Sequence, residues 1–514
     1  MAPQLKTFTR EEVAKHNKEG DIWIIIDSEV YDVSKFVDLH PGGAHVLVDA
    51  NVAGKESTEV FFGLHCYEVL EKYKRLKIGT IEGEKSKVIK PVHGALSKVP
   101  YGEPQWLVKG FKSPYYDDSH RRLQQEIRKI FDEHVIPEGR LHEETGEYPT
   151  KELLRKMGEL NINAMRLGPG KHLHGLTLLG GIKGEDFTYL HELVITQEVA
   201  RLGARGYYDG FLGGMVIGLP PVMNFGSEAL KKKIIPEVLS GQKFICLAVS
   251  EAFAGSDVAG LRTTAVKSAD GKHYIVNGTK KWITNGTFSD YFSTAVRTEK
   301  GLSMLLIERG EGVETKAIKT SYSPAAGTAY ITFDNVKVPV ENLLGQENKG
   351  LLIVLSNFNH ERWVMCCGVI RACKFITEEC FKWAHQRKVF GKPLISQAVI
   401  RNKFAGMFAK CEAMQAWLEH ISFQMCNMDY KQQSDLLAGP IALLKMQATR
   451  TAHEIADEAV QIFGGRGITR TGMGRFVEGF QKSYKFDAVL GGSEEILGDL
   501  GVRQAMRKMV PAVL

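Results

Sequence analysis

The chain carries one tetrapeptide suited to aiming an imidazole, His40-Pro41-Gly42-Gly43, and a second histidine downstream, His65. Two neutral imidazoles on opposite sides can hold a haem iron in six-coordination. That leaves no open position and confines the iron to electron transfer. The proline and two glycines fix a tight turn behind His40. Leu39, Val46, Leu47, Phe61, Phe62, Leu64 and Leu70 supply apolar walls for a macrocycle. His45 competes with His65 for the second ligand position, although it falls in the helix expected after the turn. The bland alternative is two surface histidines in a small α+β fold. The 8 cysteines contain no C-x-x-C pair. Cys366, Cys373 and Cys380 recur every seven residues, which puts them on one helix face and reads as a buried, reduced surface.

These groups need more than one core to hold them. A chain of 514 residues exceeds a single hydrophobic core and implies several domains. The hydrophobic share, 44%, is that of a globular protein, and no apolar run approaches the roughly 20 residues of a membrane span. Residues 1–83 form a small α+β module. Thr9 is its first helix cap, and Asp21 to Ile26 and Val30 to Val33 are strands. Residues 84–113 are polar and Lys-rich and read as a linker. Residues 114–243 are helical by spacing. Residues 244–345 alternate strands with Asn-Gly, Asp-Gly and Gly-Thr turns, and residues 346–514 return to long helices.

Charge divides between the modules. The first 83 residues hold 10 Lys and Arg against 14 Asp and Glu, a net of −4. The rest holds 56 against 46, a net of +10. Opposite signs on tethered modules favour docking. No basic stretch is interleaved with aromatics, so nucleic acid is not an expected partner.

The first module resembles cytochrome b5 over residues 5–83. The resemblance rests on Val30-Tyr31-Asp32-Val33, Phe36, the His-Pro-Gly-Gly turn and Ile78-Gly79-Thr80-Ile81. It implies haem b held by His40 and His65. His65 sits in Gly63-Leu64-His65-Cys66, where the family often has a Gly-His-Ser-like context.

The remainder, about 117–505, resembles acyl-CoA dehydrogenase. Four segments carry that likeness in family order: Leu247 to Asp257, Lys281-Trp282-Ile283-Thr284-Asn285-Gly286, Arg387 to Lys392, and Gln461-Ile462-Phe463-Gly464-Gly465-Arg466-Gly467. The implied fold is a helical N-terminal domain, a β-barrel-like middle domain and a C-terminal four-helix bundle. The implied cofactor is FAD. Ser250 and Thr284 then sit at the isoalloxazine, with the Val249 backbone beside it and Trp282 stacked over it. Gly255 belongs to the same loop, and Ser256 matches a contact to the CoA arm. Arg387, Phe390, Gln397, Gln461, Gly464 and Gly465 match positions that hold the FAD of a neighbouring subunit, which implies a homodimer or homotetramer. Ser493 and Glu495 fall near the flavin ribose or adenine. Three departures bear on the substrate pocket. Ala252-Phe253 stands where the family often has Pro-Gly, Thr471 where it has an acid, and the stretch Gln461 to Gly491 is a few residues longer than usual.

The family's chemistry needs one desolvated carboxylate opposite the flavin. In most relatives it precedes a Gly-Thr or Gly-Ser pair near the C-terminus. Here that position is Gly491, which cannot take a proton. The isovaleryl and long-chain branches instead use a Glu on a C-terminal-domain helix, and Glu361 in Phe358-Asn359-His360-Glu361-Arg362 matches it. Glu361 is therefore the expected base and Glu494 the runner-up. Arg362 resembles a residue that places CoA, and Asn359 joins it as a substrate contact. The Gly491 N–H would polarise the thioester carbonyl. The missing side chain at Gly491 also suggests space for a bulky acyl group.

The expected activity is α,β-dehydrogenation of an acyl-CoA thioester, with hydride passing to FAD N5 and electrons exchanged with the fused haem. An external electron donor or acceptor at the haem domain fits either direction of flow. Three other readings stay open: a flavin oxidase or monooxygenase on the same fold, a reductase fed by the haem, and a non-catalytic redox or binding protein. Met1 to Arg10 show neither a signal nor a transit pattern, and Pro511 to Leu514 are not a peroxisomal tripeptide, so a cytoplasmic location is expected.

Overall fold

The computed structural model describes residues 6–88 and 92–510. Residues 1–5 of the first expected domain, 89–91 of the expected linker and the C-terminal tetrapeptide 511–514 lie outside the described residues. The chain divides into two units. The first comprises Met1–Val92, Glu379–Asn402 and Ile462–Arg475, and the second His93–Glu378, Lys403–Gln461 and Phe476–Leu514.

In the first unit, strand Lys77–Ile81 pairs parallel with Lys6–Phe8 and antiparallel with Glu29–Asp32. The sheet continues through Asp21–Ile26 to Asn17–Lys18. Strand Asp21–Ile26 buries residues on both faces. Ile22, Ile24 and Ile26 enter one core with Tyr31, Val37, Leu47 and Leu70, and Ile25 enters a second with Val13, Val30 and Ile81. Asp27 (φ 49°) and Ser28 (φ 66°) make the two-residue turn of this hairpin, so the second strand starts at Glu29 rather than Val30. Thr9 caps helix Arg10–Ala14 as expected. Its hydroxyl accepts from Glu12 N–H at 3.2 Å, and its own N–H donates to Glu12 Oε2 at 2.6 Å.

The same unit contains a second hairpin, Lys388–Val389 with Lys392–Pro393, turned by Phe390 (φ 50°) and Gly391 (φ 74°). Lys388 pairs with Glu59 at 2.9 Å, Arg475 with Glu68 at 3.4 Å, and Arg466 Nη1 donates to the Leu64 carbonyl at 3.5 Å. Acid from the N-terminal module thus meets base from the C-terminal segments. Exposed pairs of this kind contribute at most about 1 kcal/mol each.

The second unit opens with residues that sequence pattern alone assigns to a linker. Glu103, Trp106 and Leu107 are buried there. Glu103 lies 2.6 Å from Arg128 and 3.0 Å from Arg371, and Arg128 is also 2.7 Å from Glu198. The buried charge is compensated on all sides, which is why a polar stretch can enter a core.

An eight-stranded sheet follows. Its longest pair is His273–Ile283 with Ala329–Pro339, and Ile245–Ala248 adds in parallel to Tyr291–Thr298. Phe292, Phe333, Ile331, Val276 and Leu305 fill its core. The expected helices at 118–134 and 151–158 form, the first running on through a π-helical turn at Phe131–Val135. Long helices Phe358–Gln386, Ala398–Cys426 and Ala438–Phe463 close the chain with Arg475–Val489 and Glu494–Met506. Trp363 Nε1 donates to Ser422 Oγ at 2.9 Å, and Lys374 pairs with Glu412, which ties the first helix to the second. Cys366, Cys373 and Cys380 are free and fully buried, as their spacing implies.

Candidate functional site

The haem-side geometry sits in the first unit. His40 follows a short helical turn, Val37–Leu39, and His65 follows helix Thr58–Phe62. Their ring centres are 6.1 Å apart with planes at 85°. A metal between two imidazoles, with bonds of about 2 Å and about 1 Å from nitrogen to ring centre, demands a spacing of about 6 Å. The spacing therefore fits one iron that the two rings would hold between them. His40 Nδ1 lies 3.3 Å from the Gly43 carbonyl, which orients the ring and leaves Nε2 available to a metal. A Cβ on Gly42 would stand 2.8 Å from His40 Cε1, so any larger residue there would press on the imidazole. Phe36 and Phe61 flank the two rings. His45 is exposed, and Leu39, expected in the apolar wall, is 66% exposed.

In the second unit, strand Ile245–Ala248 delivers Val249 and Ser250, and strand His273–Ile283 delivers Trp282 and Thr284. Lys280, fully buried, donates to the Val249 carbonyl at 3.0 Å and to Glu251 at 2.8 Å. Burial draws this ammonium down to about 8, while Glu251 pulls it back up. Glu251 also accepts from the Arg262 and Thr263 amides, at 2.6 and 3.0 Å. These bonds clamp the loop that begins at Val249. Thr284 is buried, whereas Trp282 is 53% exposed with left-handed backbone (φ 68°) under the Lys281 ammonium. An exposed indole held in a strained backbone fits a residue that stacks on another group. Gly255 and Ser256 lie on an exposed loop.

Glu361 stands on helix Phe358–Gln386, one turn after Asn357 and Phe358, and is buried. Asn357 Nδ2 donates to its carboxylate at 3.2 Å. Burial pushes the carboxyl up to about 7, against the opposing pull of Asn357, Arg362 and His360. Next to it, His360 lies 2.8 Å from the fully buried Glu192. Burial alone would lower that imidazole, and Glu192 more than offsets it. Arg362 Nε donates to the Gly491 carbonyl at 3.0 Å, which joins the expected base helix to the expected oxyanion loop. Lys445 holds the flanking carbonyls of Leu490 and Gly492 at 2.6 and 2.7 Å.

Gly491 adopts φ +66°, and a Cβ there would lie 2.9 Å from Met365 Sδ. The space expected beside Gly491 for a bulky acyl group is thus taken by Met365. Glu494, the runner-up base, is buried 3.3 Å from Arg450. Ser493 caps helix Glu494–Met506, Glu495 is exposed on its first turn, and Asn359 is half-buried. Pattern reading missed Asn357, His360, Glu192 and Lys445. The signal for the first two was present in Asn357-Phe358-Asn359-His360, directly before Glu361.

Among the residues expected at a neighbouring subunit's FAD, Arg387 and Gln461 are exposed, Gln397 is half-buried and Phe390 is 93% exposed. Gly464 and Gly465 have open space where a side chain would be. Stacking of Trp383 on Phe463, with ring centres 5.2 Å apart, supports the Gly464 turn from behind.

Family models match four consecutive segments. "Cytochrome b5-like Heme/Steroid binding domain" covers residues 9–82. The N-terminal, middle and C-terminal domains of "Acyl-CoA dehydrogenase" cover 117–242, 246–336 and 348–506. The chain is 38% identical over 423 residues to acyl-CoA dehydrogenase apdG of Emericella nidulans, covering 80% of this chain and 96% of that one. It is 29% identical to mitochondrial isovaleryl-CoA dehydrogenase of Pongo abelii, over 70% of this chain and 83% of the relative. The crystal structure of an acyl-CoA dehydrogenase from Bacillus anthracis, complexed with FAD, superposes with TM-score 0.67 at 25% identity, covering 78% of this chain and 69% of the other.

Proposed function

The chain belongs to the acyl-CoA dehydrogenase family, extended by a cytochrome b5-like domain and using FAD and haem, and from that premise we propose that it dehydrogenates an acyl-CoA thioester with Glu361 as the base and exchanges the electrons with its own haem. One observation carries the first half of this reading. Glu361 is a buried carboxylate whose neighbours leave it poised near neutrality, and the Gly491 loop is fastened to the adjacent residue. Poise near the working pH is what a general base needs.

When bound, FAD accepts the two electrons and the hydrogen leaving the β-carbon, and haem passes electrons on singly. The chain's own residues do the rest. Glu361 takes the α-proton, and Asn357 orients its carboxylate. Arg362 and Lys445 bind the three successive carbonyls of the Gly491 turn, which holds that turn where its N–H can meet a thioester oxygen. Val249, Ser250, Gly255, Trp282 and Thr284 serve the flavin, with Ser493 and Glu495 toward its ribose and adenine. Ser256, Asn359 and Arg362 serve the CoA substrate. Arg387, Phe390, Gln397, Gln461, Gly464 and Gly465 serve the FAD of a second subunit in a homo-oligomer. The exposure of Arg387, Phe390 and Gln461 and the open space at Gly464 and Gly465 support that reading. His40 and His65 hold the iron.

Anaerobic stopped-flow mixing with an acyl-CoA tests both halves. Flavin bleaching followed by haem reduction is the expected order. Bleaching with no haem response removes the electron-exchange half. Peroxide release in air at the rate of turnover favours the oxidase reading instead.

A further inference from the structure

Within electrostatic reach of His360, the neighbour of Glu361 in sequence, lies a buried cation that the chemistry above does not use. Arg166 closes helix Ile162–Met165, and it is 2% exposed. Its Nε and Nη1 have no hydrogen-bond partner among the described residues. The guanidinium lies over the ring of Tyr208, 5.8 Å from its centre. It is also close enough to bias His360, Asp209 and Cys367 electrostatically. The nearby carboxylates are committed to other cations: Glu192 to His360, and Asp209 to Arg205, which in turn holds Asp487. Asp209 Oδ2 is buried without a partner as well.

The surroundings of Arg166 belong to the reaction site. Tyr208 and Asp209 stand where helix Arg205–Tyr208 passes into the π-helical turn Asp209–Gly213, an irregularity common at functional sites. A Cβ on Gly213 would lie 3.5 Å from Asp209 Oδ1 and 3.6 Å from the methyl of Thr284, the residue expected at the flavin. A Cβ on Gly368 would lie 3.4 Å from the Tyr208 hydroxyl. Gly368 is two turns beyond Glu361 on the same helix face, about 10 Å along the axis. Gly368 and Tyr208 thus connect the Glu361 face of the helix to the ring over which the guanidinium lies.

We propose that Arg166 is a specificity residue that binds a carbonyl or carboxylate oxygen carried on the acyl chain, beyond the two carbons that are dehydrogenated. The proposal rests on the dehydrogenase reading of the Glu361 site. A purely hydrocarbon chain would leave buried charged donors unpaired, which is costly, and sites built to bond a polar substrate group discriminate against analogues that lack it. The commonplace alternative is that ordered water satisfies the two donors.

The test compares acyl-CoAs of equal length, unsubstituted or bearing a distal keto or carboxylate group, with the FAD-loaded wild type, Arg166→Met and Arg166→Lys. Binding of the same pairs to Glu361→Gln by calorimetry gives a readout independent of turnover. The wild type is expected to favour one oxygenated chain at least tenfold in kcat/KM and in affinity. Arg166→Met should bring the ratio near one by losing the oxygenated substrate while keeping the plain one, and Arg166→Lys should fall between. Equal use of plain and oxygenated chains by the wild type overturns the proposal and points to water. So does a preference that survives in Arg166→Met. Should Arg166→Met not fold, the wild-type ratio and Arg166→Lys decide the matter alone. Turnover of plain chains only would leave the dehydrogenase reading standing and remove this one. Turnover of no acyl-CoA would remove both.

Discussion

Glu361, the proposed base, also bears a stability cost. Its carboxyl is poised at about 7 by burial, so kcat/KM should rise with pH and level off above an apparent value near 7, as a base must be ionised. A profile flat from pH 5 to 9, measured with a slow substrate, would count against Glu361 as the base. The stability consequence has the opposite sense. The folded form binds the proton more tightly than the unfolded chain, so stability is greatest below the ordinary carboxyl range and falls as pH rises toward 7. At pH 8, Glu361→Gln should therefore be the more stable protein by up to about 3 kcal/mol, with the gain vanishing at pH 4; thermal melts at the two pH values check it. Gly491 is constrained differently. Gly491→Ala must accept a left-handed φ of +66° and push Met365 aside, and should lose about 1–2 kcal/mol in denaturant titration. The absence of an acid at 491 and its presence at 361 were legible in the sequence because both rest on residue identity. The filling of the Gly491 space by Met365 was not, since it depends on how a helix and a turn meet.

At the scale of elements, the site is a junction of one helix start, one turn and two strand ends. Helix Phe358–Gln386 carries Glu361 and Arg362, and Arg362 reaches the Gly491 turn. Arg362→Ala should loosen that turn, lower kcat/KM about 10- to 100-fold and move the Glu361 pH profile to higher pH, since the guanidinium holds that carboxyl down; kinetics across pH reads both effects. In the b5-like module, the approach of two short helical segments sets the spacing of His40 and His65, 6.1 Å. His65→Ala should abolish the six-coordinate haem spectrum and leave flavin absorbance intact. Strand and helix patterns foretold these elements well, from the strand Asp21 to Ile26 to the cysteine face of the long helix. The stretch around Glu103 has the pattern of a linker although it is buried, because its burial depends on Arg128 and Arg371, far away in sequence. Local polarity carries no trace of a distant countercharge.

Over the whole molecule, the fusion brings one-electron and two-electron chemistry into a single chain. The uneven charge, −4 on the first 83 residues and +10 on the rest, has a local expression in Glu59 with Lys388 and Glu68 with Arg475. Such pairs are screened by salt. Electron exchange between flavin and haem should therefore slow as ionic strength rises, while flavin reduction by substrate should not; stopped-flow traces at low and high salt resolve the two steps. The overall order of domains was readable from motifs in sequence. The segments that accompany the haem module, 379–402 and 462–475, were not, because only tertiary contacts group them.

The central claim is that this chain draws a proton from an acyl thioester with Glu361. Its most direct test is anaerobic flavin bleaching by a saturating acyl-CoA in FAD-loaded wild type and Glu361→Gln. Fast bleaching in the wild type, slowed by about a thousandfold or more in the variant with FAD content and melting temperature retained, is the predicted result. Bleaching at the wild-type rate in Glu361→Gln would contradict it.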